Sequence, residues 1–169
     1  MLTRADIEKY FNAEKEESRV FITIGITAVI LALIYLLFLK TRFYNGAAIP
    51  LLWVGLLLAV VGYTVLKRSD ADRIRNVYAF DMNPAELKEK ELPRMKKVMR
   101  NFVLYRWLEI LLLLAGAALY IYFIRDFTSD FWRGFGLALA VMALIALMAD
   151  YFAEKRGRVY TKGLEEFVK

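Results

Sequence analysis

Long apolar stretches alternate with polar connections along this chain, and the lengths of the stretches decide what they are. Residues 20–39, 47–66, 107–124 and 135–149 carry a single charge between them, Glu109. A helix rises about 1.5 Å per residue, so roughly 20 apolar residues cross the hydrocarbon layer of a bilayer. The first two stretches meet that length alone. The other two reach it by drawing in polar neighbours, which sets the expected spans at 20–39, 47–66, 105–124 and 131–150. The chain is therefore expected to be an all-α integral membrane protein, one four-transmembrane-helix bundle occupying residues 1–169.

The connections arrange these helices. Residues 40–46 and 125–132 are too short for anything but antiparallel neighbours, so the helices pair as two hairpins. The polar connection 67–101 between the hairpins is expected to be helical. The residue before a proline disfavours the α region, which predicts breaks at Asn83-Pro84 and Leu92-Pro93. Beyond Pro93, Met95, Val98, Met99 and Phe102 keep a helical spacing into the third span, so that helix should project past the membrane. Residues 151–169 form a tail helix, with Gly157 as its kink point.

Residues 1–18 read as an amphipathic helix lying at the membrane surface. Thr3 caps it, Leu2 and Ile7 form a hydrophobic staple, and Ile7, Tyr10 and Phe11 share one side. The competing expectation is a plain lead-in to the first span.

A weak internal repeat supports the hairpin pairing. Ala71, Asp72, Arg73, Val77 and Tyr78 match Ala153, Glu154, Lys155, Val159 and Tyr160 at one constant offset of 82. A duplicated hairpin whose halves both start on the same side is related by a pseudo-twofold along the membrane normal. The helices of both halves would then extend into the cytoplasm.

Charge sets the orientation. Of the 24 Lys and Arg residues, four lie on the two short connections, while nineteen precede the first stretch, follow the fourth or join the hairpins. That asymmetry predicts a multi-pass protein of the plasma (inner) membrane with both termini cytoplasmic. About 18 mixed-charge residues precede the first stretch, which is expected to stay as an anchor rather than serve as a cleaved signal. The net charge of +6 is explained by this bias, so nucleic acid is not expected as a partner.

The chain has no cysteine and no histidine. Disulfides, thiolate nucleophiles and imidazole metal sites are thereby excluded, and neither a cofactor nor a metal is predicted. Glu109 lies inside the third span, and Arg106, three residues earlier on the same helix face, is its expected partner. Read as function, Glu109 is a proton or cation site; read as structure, the pair fixes helix depth. Asp70, Asp72, Arg73, Asp150, Glu154 and Lys155 gather at the cytoplasmic rim as candidates for a hard cation or a phosphate. Recurring small residues, Gly55 with Ala59 and Gly136 with Ala140 among them, predict close helix packing. Phe43, Tyr44, Tyr120, Tyr122, Phe127, Phe131 and Trp132 mark the outer boundary, and Tyr105 and Trp107 the inner one.

The expected role is a non-enzymatic membrane scaffold or accessory subunit. Its basic surface, Lys88, Lys90, Arg94, Lys96, Lys97 and Arg100, would meet anionic lipid headgroups or a protein partner, and a homodimer is a further candidate partner. The alternative is a small transporter or oligomeric channel using Glu109. A third reading is an enzyme acting on lipid phosphates at the rim.

The absence of native cysteine makes the orientation directly measurable. Single cysteines at Lys88 or Lys162 should react with an impermeant maleimide only after the cells are opened, and those at Lys40 or Thr128 in intact cells. The reverse labelling pattern would contradict the charge argument.

Overall fold

The structure, a computed structural model, describes residues 2–169. It is all-helical, with four long helices and, among the described residues, no strand. They are α1 (Arg4–Leu39), α2 (Arg42–Met82), α3 (Pro84–Phe123) and α4 (Asp130–Phe167), and each contains a stretch long and apolar enough to cross a membrane. Leu57, Leu111, Leu114 and Ile121 are among the many large apolar side chains left on the outside. Such a continuous apolar exterior suits a lipid surround.

Local chemistry sets the helix ends. At the start of α1 the Thr3 hydroxyl accepts from the Asp6 amide at 3.2 Å and the Asp6 carboxylate accepts from the Thr3 amide at 2.9 Å, the expected capping box. Leu2 and Ile7 are both buried beside it. The last turn of α1, Tyr35–Leu39, widens to π geometry and closes at Lys40, whose φ of 51° lies in the left-handed region. Thr41 then caps α2 through the Tyr44 amide. The first connection is thus shorter than 40–46, because residues 42–46 are already helical.

Asn83 breaks the chain as expected, with α2 ending at Met82 and a new helix starting on Pro84. No break occurs at Leu92-Pro93. Residues Leu87–Glu91 adopt a π turn instead, whose longer hydrogen-bond register accommodates the amide that Pro93 lacks. α4 stays helical through Gly157. A Cβ there would stand 2.5 Å from the Met99 methyl, so the glycine serves the approach of α3 to α4.

The helices pack as α1–α2 and α3–α4 hairpins that meet chiefly through α2 and α4. Glycines carry each seam. A Cβ on Gly25 would lie 2.5 Å from the Gly55 carbonyl oxygen, and one on Gly116 would lie 2.7 Å from that of Gly136. Between the hairpins, Gly46 abuts the Phe131 carbonyl and Gly134 abuts the Phe43 carbonyl. These last two contacts are reciprocal, making Gly134 the counterpart of Gly46 and Phe131 that of Phe43 at an offset of 88 rather than 82. At the offset of 82, by contrast, Tyr78 is exposed and Tyr160 is buried. Only 6% of the apolar window of α3 is buried, against 22% for α2 and α4, which makes α3 an edge helix.

At the end that holds both termini, all four helices run on past their apolar stretches and converge. Leu2, Ile7, Phe11, Ala79, Leu87, Met95, Tyr160 and Leu164 form one buried cluster there. Tyr10 stacks on Tyr160 at 4.2 Å, and Phe80 on Phe167 at 4.9 Å. The opening residues therefore differ from the surface-lying helix expected for 1–18. α1 runs without a turn from Arg4 to Ile34, and its apolar side is covered by protein.

Replacing Gly116 with Val should destabilise the fold by about 1–3 kcal/mol through overpacking against Gly136 and Ala140. Replacing exposed Leu57 with Ala should stay within about 0.5 kcal/mol. Denaturant titration in mild detergent, followed by circular dichroism, compares the two.

Candidate functional site: the charged end

The polar residues of the charged end are sorted by sign. Asp72, Glu91 and Glu154 are buried, and no Lys or Arg among the described residues is. Burying a carboxylate is costly unless cations and hydrogen bonds surround it, and each of these has acquired an arginine.

Deepest in the cap, Glu91 sits on the π turn of α3 and receives both Nε and Nη2 of Arg94, at 2.8 and 2.6 Å. The guanidinium also lies over the Phe11 ring, 5.7 Å from its centroid, a cation–π contact. Burial raises the Tyr10 and Tyr160 phenols well above their ordinary range, so both stay neutral. Arg94 is thus internal and leaves the basic surface expected of it. Of its neighbours in sequence, Lys90 pairs with Glu86 and Lys96 with Glu165. Lys88, Lys97 and Arg100 are exposed and make no ion pair among the described residues.

Nearer the apolar stretches, α1 is joined to α2 and α4. Glu14 accepts from the Ser69 hydroxyl at 3.0 Å and faces Arg68 at 3.7 Å, while Lys15 pairs with Asp70. Asp70 also faces Arg73 at 3.8 Å, and Asp72 pairs with Arg75 at 2.8 Å. Glu17 on α1 pairs with Arg156 on α4, a direct ionic tie between the hairpins. Burial pushes the Glu17 carboxyl up to about 7 against the opposing pull of Arg156, with Asp150 adding to the rise. Burial raises Glu14 as well, opposed by Arg68.

Along the α3–α4 seam the partners differ from the expected Arg106–Glu109 pair. Arg106 reaches across to Glu154 at 3.1 Å, and Arg158, one turn on, covers the same carboxylate. Glu109 faces the Asp150 carboxyl instead, and its Oε2 is buried without a hydrogen-bond partner. The reason is geometric. α4 presents Asp150 and Glu154 one turn apart against α3, so each finds its nearest neighbour across the seam rather than along the helix.

Two recesses open on this seam. One of about 400 Å³ holds Glu109 and Asp150 among Ile110, Leu147, Met148 and Phe152. The other, about 470 Å³, is lined by Met99, Val103, Arg158, Thr161, Lys162 and Glu165. Glu154 borders both, so they lie end to end.

The rim candidates do not converge. Asp70 and Asp72 belong to the α1–α2 side and Asp150 and Glu154 to the α3–α4 side. Among the described residues no three carboxylates come close enough to share a metal ion. Lys155 is exposed. Glu17, Arg156 and Arg158 escaped the sequence reading. Arg158 was within reach of it, four residues after Glu154, whereas Glu17 and Arg156 are joined only by the fold. The side chain of Phe127, counted in the outer aromatic belt, lies outside those described.

Comparison of the chain with family models, with curated proteins and with solved structures found no match.

The Glu17 carboxyl makes stability depend on pH. Its folded pKa of about 7 stands above the ordinary 4.5, so the folded state holds the extra proton between those values. Its contribution is complete below about 4.5 and is lost as pH rises through 7. Raising pH from 5 to 8 should lower the thermal midpoint in detergent, and Glu17→Gln should flatten that dependence.

Proposed function

We propose that this chain is a multi-pass scaffold or accessory subunit of a plasma (inner) membrane, with both termini and the charged cap on the cytoplasmic side. It performs no reaction of its own and offers a basic cap surface to anionic lipid headgroups or to a protein partner, a second copy included. One observation carries this reading: four helices with apolar exteriors continue into a cap whose core is packed and whose acids are internally neutralised. Such a cap is a rigid surface rather than a catalytic cleft. The reciprocal Gly46–Phe131 and Gly134–Phe43 contacts support a pseudo-twofold between the hairpins along the membrane normal.

The apolar stretches support a structural role too. Residues 135–149 of α4 carry no polar side chain, and 20–39 of α1 only Thr23, Thr27 and Tyr35. A hydrophilic path across a membrane needs polar groups at every depth.

A specific observation favours a second reading. Glu109 and Asp150 line one recess at the edge of the apolar region, and ionisable groups at such a depth are candidates for proton or cation binding. A proton- or cation-coupled transporter would use that pair, with its path completed between copies of the chain.

Reconstitution separates the two. Liposomes containing the purified protein and a trapped pH dye should show no proton or cation flux above empty liposomes, and Glu109→Gln should change nothing. Flux abolished by Glu109→Gln would replace the scaffold with the transporter.

A further inference from the structure

We propose that the outward side of α2 is the surface by which two copies of this chain pair, side by side and parallel, about a twofold axis along the membrane normal. The inference rests on the membrane reading above, which gives the two copies one orientation, and it adds the partner and the place.

Exposure on the water side singles out α2. At 1.5 Å per residue, Ile74, Tyr78 and Met82 stand about 12, 18 and 24 Å beyond the expected inner end of the α2 span. Their side chains are 64%, 62% and 70% exposed. The headgroup layer extends roughly 5–8 Å past the hydrocarbon, so lipid does not cover them. Beyond that layer the other helices turn polar groups outward, Lys9 and Asn12 on α1, Lys88 and Lys97 on α3, Arg158 and Lys162 on α4, with Val159 an isolated exception. A row of large apolar groups facing water on one helix marks a protein contact.

Spacing selects a parallel second copy. Ala71, Ile74 and Tyr78 continue, at alternating steps of three and four residues, the exposed row of Trp53, Leu57 and Val60 within the apolar stretch. Thr64 and Lys67, both exposed, join the two parts. The row keeps the 3.5-residue period of a coiled-coil seam over more than three heptads. On the opposite side Gly55, Gly62, Ser69 and Asn76, each seven residues from the next, are all buried, so α2 holds that period on both sides. Two copies inserted in one orientation meet depth for depth, apolar water-side residues on their equivalents and lipid-side residues on theirs.

Charge fits the same arrangement. In a parallel pair, residue 70 of one copy flanks the seam opposite residue 75 of the other. Asp70 and Arg75 are opposite in sign and half exposed, and their internal partners Lys15 and Asp72 leave donors and acceptors over for a second ion pair. The next flanking pair, Val77 with Met82, is apolar. The row ends at Asp81, which Arg4 engages. Lys67 meets its own copy at the inner boundary, where its long stem carries the ammonium out to water and headgroups and salt screens the repulsion.

The test uses the full-length chain in the membranes that express it, where each introduced cysteine is the only one. A twofold seam sets each residue against itself, so oxidation with copper phenanthroline should link A71C, I74C and Y78C into dimers about fivefold or more above N12C on α1 and K97C on α3. Adding I74E and Y78E to the A71C chain should cut its linkage about tenfold or more, because carboxylates would enter the seam. Both positions are exposed, so the circular dichroism of that chain should not change. The comparison among single cysteines stands by itself should that chain misfold. Equal linkage at all five positions, or none on α2, would overturn the pairing. Linkage of the α2 cysteines only to another protein would give this face to that protein and overturn the second copy. A chain retained in carbonate-washed membranes without α2 linkage defeats only this inference, whereas one released by the wash defeats the membrane reading with it.

Discussion

Backbone-to-backbone approach at glycine is the constraint on which the arrangement of the helices depends. Apolar helices in apolar surroundings gain nothing by hiding their side chains from lipid, so close van der Waals contact must hold them together. Gly25 against Gly55 closes the first hairpin and Gly116 against Gly136 the second, while Gly46 and Gly134 join α2 to α4. Each contact leaves no room for a Cβ. Because the joining glycines lie on α2 and α4, α3 is left at the edge with its outer side open.

The charged end is held by different physics. There the helices leave the apolar region and a buried core of Ile7, Phe11, Met95, Tyr160 and Leu164 takes over. The buried carboxylates Asp72, Glu91 and Glu154 are each met by an arginine, Arg75, Arg94 and Arg106. The cap carries more basic than acidic residues, so the surplus on its exterior is basic. Glu17 and Arg156 tie α1 to α4 across this end, so the two hairpins are joined by glycine at one extreme and by charge at the other.

Much of this architecture was legible in the chain because hydropathy and helix length are local quantities. The four apolar stretches, the hairpins, the Thr3 cap and the break at Asn83 all follow from neighbours in sequence. What escaped was set across the fold. Ile7 and Phe11 have the same periodicity whether they face lipid or protein, and only the arrival of Leu87 and Tyr160 decides between them. Arg106 has Glu109 three residues away and Glu154 across the seam, and spacing alone cannot show that α4 delivers the better partner. Pro93 signals a break by its own chemistry, yet the π turn before it absorbs the missing amide. Gly25 carried no signal without its partner Gly55, and the basic run 88–100 concealed that Arg94 turns inward.

Hydrogen–deuterium exchange of the native chain in lipid nanodiscs tests the central claim, lipid-embedded helices that carry a folded water-side cap, most directly. Amides of residues 20–39, 47–66, 105–124 and 131–150 should remain unexchanged for hours. Those around Phe11, Ala79, Met95 and Leu164 should exchange slowly and together, as a packed core opening cooperatively. Exchange of the cap at the rate of an unstructured chain, or of the apolar stretches as readily as the cap, would contradict the account.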